Sequence, residues 1–110
     1  MTFETDLASR KCVPCSGGTP RLAGAELEQL EAQVPGWRVV DGHQLERAFS
    51  FPDFKSALAF ANKVGDVAEE LDHHPDILVS WGRTAVTIWT HKIDGLSEAD
   101  FVLAAKISKI

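Results

Sequence analysis

Residues 52–91 read PDFKSALAFANKVGDVAEELDHHPDILVSWGRTAVTIWTH, and a change of hydrophobic period inside them sets the fold. From Pro52 onward Phe54, Ala57, Leu58, Ala61, Val64, Ala68 and Leu71 recur at spacings of three and four, the mark of an amphipathic helix about five turns long. Pro52 suits the first helical turn, and Pro75 ends the helix because it cannot continue the hydrogen-bond ladder. Ile77–Trp81 and Ala85–His91 then flank Gly82-Arg83, which reads as a hairpin with Gly at the first central position of a type II′ turn. In that register Trp81 faces Thr84. Extending the ladder back through Pro75 brings His74 opposite His91, on one face of the sheet.

Outward from this stretch the pattern repeats. Leu27, Leu30 and Val34 keep helical spacing between Ala25 and Val34, and Pro35-Gly36 stops them. Trp37–Val40 and His43–Phe51 flank Asp41-Gly42, a strong short-range hairpin signal. At the other end Leu96-Ser97-Glu98-Ala99-Asp100 opens a third helix with a capping box from Ser97 and Asp100, followed by Phe101, Leu103, Ala104 and Ile107. The order α-β-β-α-β-β-α predicts an α+β domain, a four-stranded antiparallel sheet with three helices packed on one face. By parity Ile77, Val79, Trp81, Val86 and Ile88 lie under the helices. Leu78, Thr87 and Trp89 share the open face with His74 and His91, and an exposed Trp89 beside Leu78 points to contact with another molecule.

The chain has 110 residues, 45% of them hydrophobic and 25% charged, enough for one domain that buries a core without a metal or disulfide staple. Residues 1–22 read as an N-terminal arm and residues 23–110 as the domain. With 11 basic and 16 acidic residues, the net charge of −5 argues against a nucleic-acid backbone as partner. No apolar run approaches the roughly 20 residues of a membrane span, and Glu4 and Asp6 break the layout of a secretion signal. A cytoplasmic protein is expected. Cys12-Val13-Pro14-Cys15 would suit a zinc knuckle or a redox pair only in contexts not visible around it, and reads as two reduced thiols in a loop.

The chemistry concentrates in the histidines. His73 stands at the end of the long helix, four residues after Glu69 and three after Glu70, so a carboxylate can share its helical face. The negative end of the helix and Asp72 favour an imidazolium there. Taken singly, a histidine at a helix end is a cap and Asp100 is half of a capping box. A paired His73-His74-Pro75 with His91 set across the sheet points instead to acid–base work near neutral pH. A zinc set is disfavoured, because adjacent histidines diverge and no His-x-x-x-His spacing occurs. No nucleophile motif or glycine-rich phosphate loop is present.

Glu69-x-x-x-His73-His74-Pro75, x5, Trp81, x9, His91, x8, Asp100 resembles, at every place, the signature of the pterin-4a-carbinolamine dehydratases. The similarity extends less sharply over residues 20 to 110, and the Cys-Val-Pro-Cys arm is similar to the leader of many members. The resemblance implies dehydration of a 4a-hydroxytetrahydropterin to a quinonoid dihydropterin, in tetrahydrobiopterin recycling, with no metal or organic cofactor. It implies His73, His74 and His91 as catalytic residues and Glu69, Asp72, Asp100 and Trp89 as substrate-binding ones. Many members carry an aromatic where this chain has Ile77; Trp89 is the expected substitute. A homo-dimer or homo-tetramer is implied as well. The alternative is a non-catalytic member acting as a binding or assembly factor, like the carboxysome-associated dehydratase-like proteins linked to RuBisCO, for which three retained histidines would be unnecessary.

Overall fold

A computed structural model describes residues 21–110; the Cys12 and Cys15 reading lies outside the described residues. The elements are α1 (Gly24–Ala32), β1 (Arg38–Val40), β2 (Gln44–Ser50), α2 (Phe54–Leu71), β3 (Asp76–Ser80), β4 (Arg83–Ile88) and α3 (Glu98–Ser108), with a 3-10 turn at His91–Ile93 before α3. The expected α+β order holds, and the sheet runs β1-β2-β4-β3 with every neighbour antiparallel. The last residues assigned to the arm are already tied down: Leu22 N–H donates to the Leu96 carbonyl at 2.8 Å.

Local chemistry explains the boundaries. Pro52 lies one residue outside the helix rather than in its first turn, because Asp53 takes the cap and accepts from Ser56 N–H at 2.7 Å. Leu71 is the last helical residue. Asp72 enters the left-handed region at φ 54°, which ends the helix three residues before Pro75. In the β1–β2 turn Asp41 and Gly42 both have positive φ and His43 N–H returns to the Val40 carbonyl, the backbone that an Asp-Gly pair favours.

The core lies between the helices and one face of the sheet. Leu45, Thr84, Val86 and Ile88 are buried there against Val64 of α2 and Phe101, Leu103 and Ile107 of α3. α3 is buried on most of its circumference, whereas α1 buries no residue fully and lays Leu27 and Leu30 against the core edge. At roughly 2 kcal/mol for each fully buried large side chain, α3 supplies much of the hydrophobic stabilisation. Alternation survives on the open face, where Leu78 is 62% exposed opposite Ala85.

The β3–β4 register differs from the expected one by one turn position. Ser80 faces Arg83 and Asp76 faces Thr87, so the connecting residues are Trp81-Gly82 rather than Gly82-Arg83. Gly82 has φ +75° and takes the second turn position, leaving Trp81 at the first without positive φ. Trp81 is consequently 73% exposed in the turn, not packed under the helices. The pairing stops before His74 and His91, so they do not oppose one another on the ladder. The even shift preserves face parity, which is why the assignment of Ile77, Leu78, Val79, Val86, Thr87 and Ile88 still holds. Gly82→Ala would place a Cβ 3.1 Å from the Phe51 carbonyl oxygen at a positive φ. Urea denaturation should show a loss of about 1–2 kcal/mol; an unchanged midpoint would contradict this account of the turn.

Candidate active site

Three segments converge on Asp100, whose side chain is wholly buried. As the third residue of α3 it closes the predicted capping box, its Oδ2 accepting from Ser97 N–H at 2.8 Å. Thr90, just beyond β4, donates its hydroxyl to the same oxygen at 2.8 Å and lies 2.8 Å from the Ser97 hydroxyl. The other oxygen, Oδ1, stands 2.6 Å from His73 Nε2. A carboxylate already accepting on one oxygen leaves the other as acceptor, which assigns the Nε2 hydrogen to His73 and leaves Nδ1 for exchange. His73 is only 14% exposed, so this pair is held out of bulk water.

The turn at Asp72 separates the adjacent histidines. His73 N–H bonds the Ala68 carbonyl and its ring goes inward to Asp100. The ring of His74 stays outside, with Nε2 2.6 Å from Glu69 Oε2 and its side chain 54% exposed. The expectation that Glu69 or Glu70 supports His73 along the helix is therefore corrected. His73 is past the helix end, where the left-handed residue turns it toward α3, and Glu69 reaches His74 instead. Asp72 itself is exposed and shapes the chain through its backbone.

His91 begins the short 3-10 turn and is exposed. Its loop is pinched by backbone bonds between Thr90 and Gly95. The Trp89 ring lies 4.4 Å from the His91 ring and 5.4 Å from the His43 ring, centroid to centroid. Trp89 is half-buried against the core rather than free on the open face. Thus His73 and His91 are linked through Asp100 and Thr90, the residue preceding His91. Thr90, His43 and Asp94 were not singled out from the sequence; a threonine beyond a strand end carries no signal until the fold brings it to a buried carboxylate. Ile77 faces Val86 and packs against the core. A concavity of about 240 Å³ on the sheet, lined in part by Arg38, Glu46, Arg83 and Thr87, does not include these histidines. Among the described residues no group of three His, Cys, Asp or Glu side chains is placed to hold a metal ion.

A two-layer α+β sheet with a histidine pair, a third histidine and a buried aspartate defines the class. The family profile of pterin 4 alpha carbinolamine dehydratase matches residues 20–110, and the chain belongs to that family. A protein of Rubrobacter xylanophilus named "Putative pterin-4-alpha-carbinolamine dehydratase" is 57% identical over 106 residues, covering 96% of this chain and 99% of its own. A namesake from Alkaliphilus metalliredigens is 51% identical over 105 residues, covering 94% and 95%. Among solved structures, a transcriptional coactivator/pterin dehydratase from Brucella melitensis superposes with a TM-score of 0.75 at 36% identity, over 81% of this chain and 96% of that one. A pterin dehydratase-like RuBisCO assembly factor of the alpha-carboxysome shares the fold, with a TM-score of 0.56 at 22% identity over 67% and 87%.

Removing the buried carboxylate should be costly, since Thr90, Ser97 N–H and His73 all lose their acceptor. Asp100→Ala is expected to lower the unfolding free energy by about 3 kcal/mol in urea titrations. Asp100→Asn, which keeps an acceptor for Ser97, should lose less; equal losses would mean that the carboxylate's charge contributes nothing.

Proposed function

We propose that this protein dehydrates a 4a-hydroxytetrahydropterin to a quinonoid dihydropterin and water, a hydro-lyase step of tetrahydrobiopterin recycling in the cytoplasm. The observation that carries the reading is the His73–Asp100 pair at 2.6 Å, linked through Thr90 to the loop that bears His91. In the reaction the bond from C4a to its hydroxyl oxygen breaks, a proton joins the departing hydroxide, and a ring nitrogen gives up its hydrogen. No electrons enter or leave. One acid and one base around the bicyclic ring are sufficient.

His73 and His91 supply those two groups in this reading. With Nε2–H directed to Asp100, His73 presents a single nitrogen to the substrate, and Asp100 acts through it as the positioning carboxylate. His74, fixed by Glu69, and Trp89 serve to bind and orient the pterin, together with Asp72. Trp89 supplies the apolar face for the flat heterocycle that Ile77, turned into the core, does not offer. The protein works as a homo-dimer or homo-tetramer in the same reading, supported by exposed Leu78 and Trp81.

Stopped-flow absorbance with chemically generated 4a-hydroxytetrahydropterin tests the activity. The wild type should accelerate dehydration, and His73→Ala and His91→Ala should each reduce the rate on the order of 10²-fold. No acceleration by the wild type ends the enzyme reading and leaves a binding or assembly role. Small-angle scattering should give a mass above 12.0 kDa; a monomer at all concentrations contradicts the oligomer.

A further inference from the structure

The fourth histidine, outside the signature, is bound more fully than the other three. His43 closes the β1–β2 turn, and both ring nitrogens meet an acceptor: Nε2 is 2.8 Å from Asp94 Oδ1 and Nδ1 is 2.8 Å from Gln44 Oε1. The Gln44 amide orientation is set in turn, because its Nε2 donates to Glu46 Oε2 at 2.7 Å. An imidazole with two acceptors carries two hydrogens, so the arrangement is built for the cation. That cation packs against the Trp89 ring at 5.4 Å, within the range of a cation–π contact, and the His91 ring lies 4.4 Å from the same indole.

Asp94 closes the loop His91–Asp94, bonding back to the His91 carbonyl through its N–H at 3.2 Å with φ 50°. The loop is thus gripped from two sides. Inside, Thr90 is anchored on Asp100; outside, Asp94 is anchored on His43. The other charged groups around the outer grip are Arg21, which donates to the Asp94 carbonyl at 3.3 Å, and Glu46, which also pairs with Arg38 at 3.7 Å.

We propose that His43 is a positioning residue for His91, holding its ring and loop through the pair with Asp94 and through the Trp89 ring that both histidines contact. The consequence for dehydration rests on the function proposed above; the positioning itself does not. Its sign with pH follows from the partners. The Asp94 hydrogen bond, then that of Gln44, raises His43 above its ordinary value of 6.5, while the His43 hydrogen bond lowers Asp94 below its ordinary 3.8. A raised histidine stabilises the folded form below its unfolded value and loses that contribution as pH rises through the folded one. A depressed aspartate contributes above its unfolded value and loses its share as pH falls through its folded one. The grip is therefore complete between those two ordinary values and loosens on the alkaline side.

Imidazole resonances followed by NMR from about pH 5 to about pH 9 test this in the full chain. In the wild type the His91 ring-proton shift should contain a step that follows the His43 titration. Asp94→Asn should move the His43 midpoint back toward 6.5 and remove that step, and His43→Ala should move the His91 shift toward that of a free imidazole. Asp94→Asn keeps the polar contact and guards against a folding defect in His43→Ala; a cooperative thermal transition in each variant shows that it folds. In stopped flow, His43→Ala should lower kcat about tenfold near pH 6 with little change in KM, and the deficit should shrink as pH rises through the His43 midpoint read by NMR. An unchanged His91 shift in both variants overturns the proposal. Coupled resonances in a protein that does not dehydrate the pterin leave the positioning intact and remove the catalytic reading.

Discussion

A single carboxylate taken out of water constrains this structure. A wholly buried carboxylate such as that of Asp100 would cost several kcal/mol if left alone, and the fold surrounds it with hydrogen-bond partners from three places in the chain. Ser97 comes from its own helix start, Thr90 from the end of the central strand β4, and His73 from the turn after α2. Each donor belongs to an element whose packing is fixed by the core. Phe101 and Leu103 seat α3, Ile88 seats the strand end, and Val64 and Ala68 seat α2. Hydrophobic packing therefore sets where the polar network closes, and the network in turn fixes one nitrogen of His73.

The same constraint distributes the histidines. Asp72 takes a left-handed conformation at φ 54°, which lets consecutive side chains diverge, one into the network and one onto Glu69 at the surface. An aspartate tolerates that conformation better than most residues with a side chain. On the far side of Asp100, the loop after Thr90 carries His91 out of the strand, free of the ladder but pinched between Thr90 and Gly95. A strand would have locked its ring to the pleat. Out of the strand, its orientation depends on the side chains around it, chiefly Trp89 and, behind that, His43.

Residue patterns made the architecture legible. The three-and-four spacing of α2, the Asp41-Gly42 turn and the Ser97–Asp100 capping box are local devices, each determined by neighbours within a few residues. They appear in the structure where the sequence places them, and the His73-His74-Pro75, His91 and Asp100 spacing marked the family. The β3–β4 turn escaped by one position. Alternation fixes which face a residue takes but is blind to a slip of two in the sum of paired residues, and only the backbone decides that the turn is Trp81-Gly82 rather than Gly82-Arg83.

The chain by itself determined the order of elements and the faces of most strand residues, because period, capping and turn preference act over short range. Tertiary structure alone decided who partners whom: His73 with Asp100 across 27 positions, Thr90 with the same carboxylate, and His43 with Asp94 across 51. Those pairings depend on where helices and strands meet once apolar side chains are buried, and no local pattern encodes the distance between the elements that carry them.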